Sequence, residues 1–246
     1  MEAEPARRGA PRRGVIHVHT HHSYDGIASA RQLLRMARRE GLAFLIVTDH
    51  DTLDGSREVR DLAVRQGGGI EVPLAAEYRT DHGDVIAAFL EREVAARGFD
   101  DVVAEVRGQN GLLMLPHPYS QHRDVERLAR AVDLIEIHNA RVSDDRNAAA
   151  RELARALNKP GYVASDAHMP WNLAKAVVEV NGADSLRDAL RAGSIRATRS
   201  EQLGALDVAA SQLLKAVRTR DARLFTHVLL RPPYRVLRRL TVRQAR

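Results

Sequence analysis

Val15-Ile16-His17-Val18-His19-Thr20, followed one helix-length later by Ala43-Phe44-Leu45-Ile46-Val47-Thr48-Asp49-His50-Asp51, decides how this chain is read. The first stretch alternates apolar and polar residues at period two, which is the mark of a strand and puts His17 and His19 on one face. The second is a continuous apolar run, as in a buried strand, and it ends abruptly in three ionisable residues. Between them Ser29 is placed to cap a helix through Leu33, Leu34 and Ala37, with Gly41 as its stop. Strand, helix and strand make a βαβ unit that presents imidazoles and carboxylates at strand ends.

The pattern recurs along the chain. Val72 to Ala76, Val85 to Phe89, Leu112 to Leu115, Leu134 to Ile137 and Tyr162 to Ala164 are short apolar runs, several of them separated by helical stretches at 100–108, 123–131 and 145–157. Nearly every run ends in chemistry: Glu77 follows Leu74-Ala75-Ala76, His117 follows Leu113 to Pro116, Glu136 and His138 end the Leu134 run, and Asp166 and His168 follow Val163-Ala164-Ser165. Alternating strands and helices predict an α/β fold with a parallel sheet or a barrel. A barrel is the expectation, because its strand C-terminal ends meet on one face and gather residues scattered over about 150 positions.

Composition sets the limits. The chain has 246 residues, 44% hydrophobic and 28% charged, enough for one large core. No run of eighteen apolar residues exists, and the Arg-rich start lacks the apolar stretch of a signal peptide, so the expectation is a cytoplasmic protein without a membrane span. The absence of cysteine excludes disulfides, thiolate ligands and a Cys nucleophile, which leaves metal and acid/base chemistry to His, Asp and Glu. The net charge of +6 is uneven: residues 204–246 carry ten Lys/Arg against Asp207 and Asp221, or +8, and the first thirteen carry +2, which leaves −4 for residues 14–203. Three parts are therefore expected: a flexible basic arm at 1–13, a barrel domain at 14–203, and a basic extension at 204–246 of one or two helices broken by Pro232-Pro233. From Tyr234 onward, arginines interleave with Val236, Leu237 and Leu240, a pattern suited to phosphates or a membrane surface and so to single-stranded nucleic acid.

Five imidazoles (His17, His19, His50, His117, His168) and three carboxylates (Asp25, Glu77, Asp166) at strand ends make a donor set for divalent cations, with carboxylates to offset repulsion between neighbouring metals. Taken together, His17-Val-His19-Thr-His-His-Ser23-Tyr-Asp25-Gly26, Thr48-Asp49-His50-Asp51-Thr52, Glu77, Pro116-His117-Pro118-Tyr119, Glu136-Ile-His-Asn139-Ala-Arg141 and Ser165-Asp166-Ala167-His168 resemble the polymerase and histidinol phosphatase (PHP) superfamily over about residues 14 to 200. The resemblance implies a distorted (β/α)7 barrel, two or three divalent metal ions (Mn²⁺, Fe²⁺ or Zn²⁺), and phosphoester hydrolysis by a metal-activated water.

Carried over position by position, it implies that His17 and His19 bind one metal with Glu77 bridging and Asp166 completing the site. Asp25 and His50 match ligands of a neighbouring metal with His168 close by, and His117 matches a ligand of the third. Many relatives carry a further His after the bridging Glu; here Thr80-Asp81-His82-Gly83-Asp84 stands in that place, so Asp84 is preferred, with His82 the alternative, as an additional ligand. Asp49 is expected to orient a ligand or a proton, Arg141 and Arg79 to clamp a charged substrate, His22 to meet substrate from its loop, and Trp171 or Tyr119 to stack a base. The expected substrate is a small phosphorylated molecule, nucleotide-like, or the 5′ end of a short oligonucleotide. Two other readings stand beside it: a metal-dependent C–N hydrolase of amidohydrolase type, against which the lack of a candidate carboxylated lysine counts, and a non-catalytic module that metals only stabilise. Oligomeric state is not legible.

Overall fold

The structure is a computed structural model that describes residues 10–181 and 185–230. Its strands form two sheets. In the first, β1 (Arg12–Val18) lies parallel to β2 (Phe44–Val47) and antiparallel to β8 (Ala176–Val180), which pairs in turn with β9 (Ile195–Ser200). The second runs in sequence order through β3 (Ala75–Thr80), β4 (Gly83–Ala88), β5 (Leu112–Leu115), β6 (Leu134–Asn139) and β7 (Gly161–Ala164). Its β3-β4-β5 half is antiparallel and its β5-β6-β7 half parallel.

Strand alternation sorts the core into layers. Val15, Leu45 and Val47 face one way and pack with Leu33, Leu34 and Ala37 of α1 (Ala30–Arg39) and Val59 of α2 (Asp54–Arg65). Their neighbours Ile16, Phe44 and Ile46 face the other way and meet Ile86, Met114, Leu134, Tyr162 and Val178 between the sheets. A third cluster packs the far side of the five-stranded sheet against α3 (Phe99–Gly108), α4 (Val125–Ala131) and α5 (Asp144–Ala156). Helix α1 shows why the local sequence folds as it does: buried positions recur at 30, 33, 34 and 37, and Ser29 and Gln32 form a reciprocal capping box that is worth about 1 kcal/mol. Full burial of Leu34 adds about 1.5–3 kcal/mol.

The fold is mixed α/β, but its ladders do not close into the seven-stranded barrel. The edge of β1 that a closed ring would offer to β7 is taken over Arg12–Gly14 by β8, and β1 is bridged not to β7 itself but, through Val18↔Ala167, to the segment that follows it. On the opposite side β2 and β3 are joined through the bridge His50↔Glu77. The sheets thus touch at residues of the candidate site.

Other differences are local. Arg12 and Arg13, expected in the flexible arm, begin β1 because Arg12 pairs with Val180 across the ladder and with Glu71 through its side chain. The strand expected at 72–76 lies instead at Ala75–Thr80, so Glu77 sits inside it, carried past the apolar run by buried Tyr78. Helix α2, strands β8 and β9, and α6 (Leu186–Arg191) were not anticipated. The extension contains α7 (Ala205–Arg218) and α8 (Ala222–Leu230). Residues 1–9 of the arm and 231–246, with Pro232-Pro233 and the basic run from Tyr234, lie outside the described residues. Among the described residues no helix is long and apolar enough to cross a membrane.

Candidate metal centre

Glu77 is the hub. Its Oε2 lies 3.3 Å from His17 Nε2, 3.5 Å from His19 Nε2 and 3.3 Å from His50 Nδ1, while Oε1 lies 3.1 Å from His117 Nε2. Asp166 Oδ1 stands 3.7 Å from His17 Nε2 and 3.6 Å from His19 Nε2. Asp25 Oδ2 lies 3.5 Å from His50 Nε2 and 3.2 Å from His168 Nε2. Ligand atoms of His19, Asp25, His50 and His168 all fall within 4.8 Å of one another, as do those of His17, His19 and Glu77, of His17, His117 and Asp166, and of Glu77, Asp84 and His117. All eight expected ligands, from β1, β2, β3, β5 and β7 and the loops after them, therefore converge, and Asp84 joins them. His82 does not: its ring faces Asp124 at 3.2 Å and Arg127 at 3.1 Å.

Behind these groups a set of buried partners fixes which nitrogen carries a proton. Thr20 N–H and Thr20 Oγ1–H donate to Asp49, and Ser23 Oγ–H donates to Asp49 Oδ1 at 2.7 Å. With its proton committed, Ser23 Oγ accepts from His19 Nδ1 at 3.0 Å and from His50 N–H, leaving the lone pair of His19 on Nε2, facing the cluster. His17 Nδ1 donates to Glu136 Oε1 at 3.0 Å, which turns its Nε2 inward too. The other oxygen of Glu136 accepts from His117 N–H and from Asn139 Nδ2, and Asn139 Nδ2 also reaches Asp166 Oδ2 at 3.1 Å. His168 Nδ1 lies 2.9 Å from the Asp166 carbonyl oxygen and 3.0 Å from Arg141 Nη1, and its Nε2 faces Asp25 Oδ2 at 3.2 Å.

Asp49 is thus fully occupied by Thr20 and Ser23 and acts on the cluster only through Ser23. Arg141 is nearly buried, with Nε 3.6 Å from Asp166 Oδ2 and Nη1 bonded to Ser211 of α7 at 2.8 Å. Arg79 stays over half exposed at the rim, 3.3 Å from Asp84. His22 turns away and binds Glu58 at 2.9 Å. Exposed Trp171 donates its indole N–H to Asp207, and Tyr119 is also exposed. Sequence reasoning missed Glu136, Ser23 and Asn139 as site residues, although all three stand in the motifs it singled out; an acid inside the apolar run Leu134-Ile135-Glu136-Ile137 was the available signal. Tyr24 was missed as well, and its ring stacks on His50 at 4.6 Å with 2° between planes.

The electrostatics are those of a cation site. Burial would depress the His17 imidazolium, yet Asp166, Glu77 and Glu136 together hold it well above its ordinary value. Burial likewise opposes the charge of Glu77 and Asp166, and His17 outweighs it, with His50 for Glu77 and Arg141 for Asp166, so both carboxyls stay far below the usual range. His19 goes the other way: burial and the neighbouring His168 and His50 push it well below its ordinary value. Its Nε2 is buried without a hydrogen-bond partner, as is Asp25 Oδ1. Orphaned buried lone pairs, in a set of imidazole and carboxylate donors without thiolate, fit a divalent cation.

Comparison with known proteins agrees. The PHP domain family matches residues 16–163, and the PHP-associated family matches residues 144–195. An uncharacterized protein of Methanocaldococcus jannaschii is 29% identical over 117 residues, covering 43% of this chain and 67% of that protein. A two-domain protein of Bacteroides vulgatus containing a predicted PHP-like metal-dependent phosphoesterase superposes with a TM-score of 0.65 at 18% identity over 77% of this chain, which spans 65% of that protein's length. An amidohydrolase of Chromobacterium violaceum with bound sulfate and no metal superposes with a TM-score of 0.55 at 14% identity, covering 75% of this chain and 97% of its own. These two structural likenesses are of fold. The PHP match opens one residue before His17 and takes in His19, Asp25, His50, Glu77 and His117, and a match of that extent over those strand ends makes this chain a member of the PHP domain family.

Proposed function

We propose that this chain is a metal-dependent phosphoesterase that hydrolyses phosphomonoesters of nucleotides, small metabolites or the 5′ ends of short oligonucleotides. The observation that carries the reading is the position of Glu77, one buried carboxylate within 3.5 Å of four imidazoles, which suits a bridge between cations. His17, His19, Glu77 and Asp166 would hold one cation; Asp25, His50 and His168 would hold a second; His117 with Asp84 would hold a third. When bound, such cations supply an activated water and Lewis acidity toward a phosphoryl oxygen.

The chain's own residues do the rest. Asp49 through Ser23 holds His19 in its Nδ1–H tautomer, and Glu136 does the same for His17, so both rings present basic nitrogens inward. Arg141 and Asn139 restrain Asp166, which makes Arg141 a positioning residue in this reading and leaves Arg79, paired with Asp84 at the exposed rim, as the cation placed to meet substrate. The C–N hydrolase reading lacks its lysine: Lys159 binds the carbonyls of Arg130 and Val132, Lys175 pairs with Glu201, Lys215 reaches Tyr24, and none touches the cluster.

Phosphate release by the protein reconstituted with Mn²⁺ tests the proposal, across nucleoside monophosphates, 3′,5′-bisphosphates, histidinol phosphate and 5′-phosphorylated oligonucleotides, with Asp166→Ala as control. Release that vanishes in the control is the expected result. No release from any of them, by protein shown to hold metal, would overturn it.

A further inference from the structure

Both family matches end before α7, the second at residue 195, yet α7 reaches back to the centre. Arg218 Nη1 donates to the carbonyl oxygens of Ser23 at 2.9 Å and Gly26 at 2.8 Å, so it grips both sides of the loop that carries Asp25. Ser211 binds Arg141, the arginine beside Asp166. Between these anchors, one turn from each, stands Lys215. Its Nζ lies 4.7 Å from the centroid of the Tyr24 ring and 3.4 Å from the Tyr24 hydroxyl, and that ring is the one stacked on His50.

The partners of the chain's three lysines separate this one from the others. Lys159 is satisfied by two carbonyls and Lys175 by a carboxylate. Lys215 is half-buried, and among the described residues it has no carboxylate within 4.0 Å; its one hydrogen bond is long and goes to a neutral phenol. The phenol of Tyr24 is a neutral group and does not neutralise the ammonium. A partly desolvated ammonium facing a neutral hydroxyl, on the side of the cluster that Asp25 and His50 form, is short of one anion.

We propose that Lys215 supplies that anion's binding site: it receives a phosphoryl oxygen of the substrate beside Tyr24, so that the helical extension completes the PHP centre. The inference rests on the phosphoesterase reading for the identity of the anion. The Tyr24 hydroxyl offers a second donor to the same oxygen. The ligand class is a phosphomonoester dianion; a phosphodiester, with one charge fewer at phosphorus, gains less from the same ammonium.

The test compares the Mn²⁺-reconstituted full chain with Lys215→Met, Lys215→Arg and wild type by two readings: the affinity for inorganic phosphate, and kcat and KM for the best substrate found. Loss of one charge-assisted hydrogen bond predicts phosphate binding and KM weaker by about 10- to 100-fold in Lys215→Met, with kcat changed far less. Recovery to within about threefold is expected in Lys215→Arg. Lys215→Met keeps an unbranched aliphatic stem without the charge, and unchanged thermal unfolding and metal content would show that α7 remains docked. Wild-type phosphate affinity in Lys215→Met, or metal-loaded wild type that binds no phosphate, overturns the inference. A wild type that binds phosphate through Lys215 but hydrolyses no phosphoester would leave the site standing and remove the phosphoesterase reading instead.

Discussion

Glu136→Gln isolates the part of the centre that lies behind the ligands. Three donors meet the Glu136 carboxylate: His17 Nδ1–H at Oε1, and His117 N–H with Asn139 Nδ2–H at Oε2. A carboxylate offers only acceptors, whereas an amide must place an NH₂ at one of the two positions. If the NH₂ takes the Oε2 position, two donors lose their partner, at about 1.5–3 kcal/mol each. If it takes the Oε1 position, one bond is lost unless His17 changes tautomer, which puts its proton on Nε2 and removes the lone pair that faces Glu77 and Asp166. The second choice costs less, so the variant should fold with about 1.5–3 kcal/mol less stability and a Tm lower by about 3–12 °C. Its affinity for Mn²⁺ should fall about 10- to 100-fold, as for other losses of a carboxylate behind a ligating histidine. Equilibrium dialysis against Mn²⁺ measures the affinity, and ring-nitrogen NMR of the metal-free protein, taken at a pH above the raised titration range of His17, reads its tautomer. Unaltered affinity, an unaltered His17 ring and wild-type stability found together would refute the argument, because every branch costs at least one of the three.

Three further outcomes follow from other contacts. A Cβ on Gly55 would stand 1.7 Å from Asp49 Oδ2 and 2.7 Å from Thr20 Oγ1, so Gly55→Ala should cost about 1–3 kcal/mol in chemical denaturation and disturb the Asp49–Ser23–His19 chain; a variant as stable as wild type would show that this approach yields freely. The Tyr162 hydroxyl is buried without a hydrogen-bond partner, so Tyr162→Phe should be neutral or more stable by up to about 1 kcal/mol, and a clear loss in the same denaturation assay would reveal a partner for it. Burial pushes His117 down, but its hydrogen bond to Glu77 and the charge of that carboxylate prevail and hold it up at about 9. In the metal-free protein that raised value contributes stability below the unfolded value near 6.5, lost as pH rises through about 9. A cation bound at His117 must displace the same proton, so Mn²⁺ affinity should climb about tenfold per pH unit below that point, and a flat titration calorimetry series from pH 7 to 8.5 would contradict it.

Much of this was legible in the chain, and the limits have physical reasons. Period-two alternation and the apolar runs located seven of the nine described strands, because residues buried on a sheet face must be apolar whatever the connections between strands. The missing two, β8 and β9, show why closure was misjudged. β9 is largely exposed, so its sequence Ile195-Arg-Ala-Thr-Arg-Ser200 carries no buried run, yet it makes β8 the inner strand of a hairpin that occupies the edge of β1. The eight candidate ligands were legible as donors since few other residue types bind hard cations, and the place of most of them at strand ends is a property of local sequence. Glu136 and Ser23 were not, because their role depends on hydrogen-bond direction, which spacing does not encode. Lys215 lay beyond reach for a related reason: a helix 191 residues from Tyr24 in sequence meets it only through the packing of the whole chain.

The backbone of the centre adds a constraint of its own. His17, His117 and Asp166 have φ of 68°, 28° and 45°, left-handed values that L-residues avoid at about 1–2 kcal/mol each. None is glycine, so the strain is held by the surroundings and serves to aim a side chain. In β1 the register slips between Ile16 and Val18, and the kink at His17 brings its ring to within 5.1 Å of the His19 ring, closer than the rise of about 6.6 Å that separates alternate residues of a regular strand. The bridges Val18↔Ala167 and His50↔Glu77 then fasten the two sheets directly beside these residues. The break in the ladder between β1 and the segment after β7 leaves His17 and Asp166 free of the extended conformation that continuous pairing would impose. The gap in the hydrogen-bonding ring and the convergence of the eight ligands are, on this view, one structural feature.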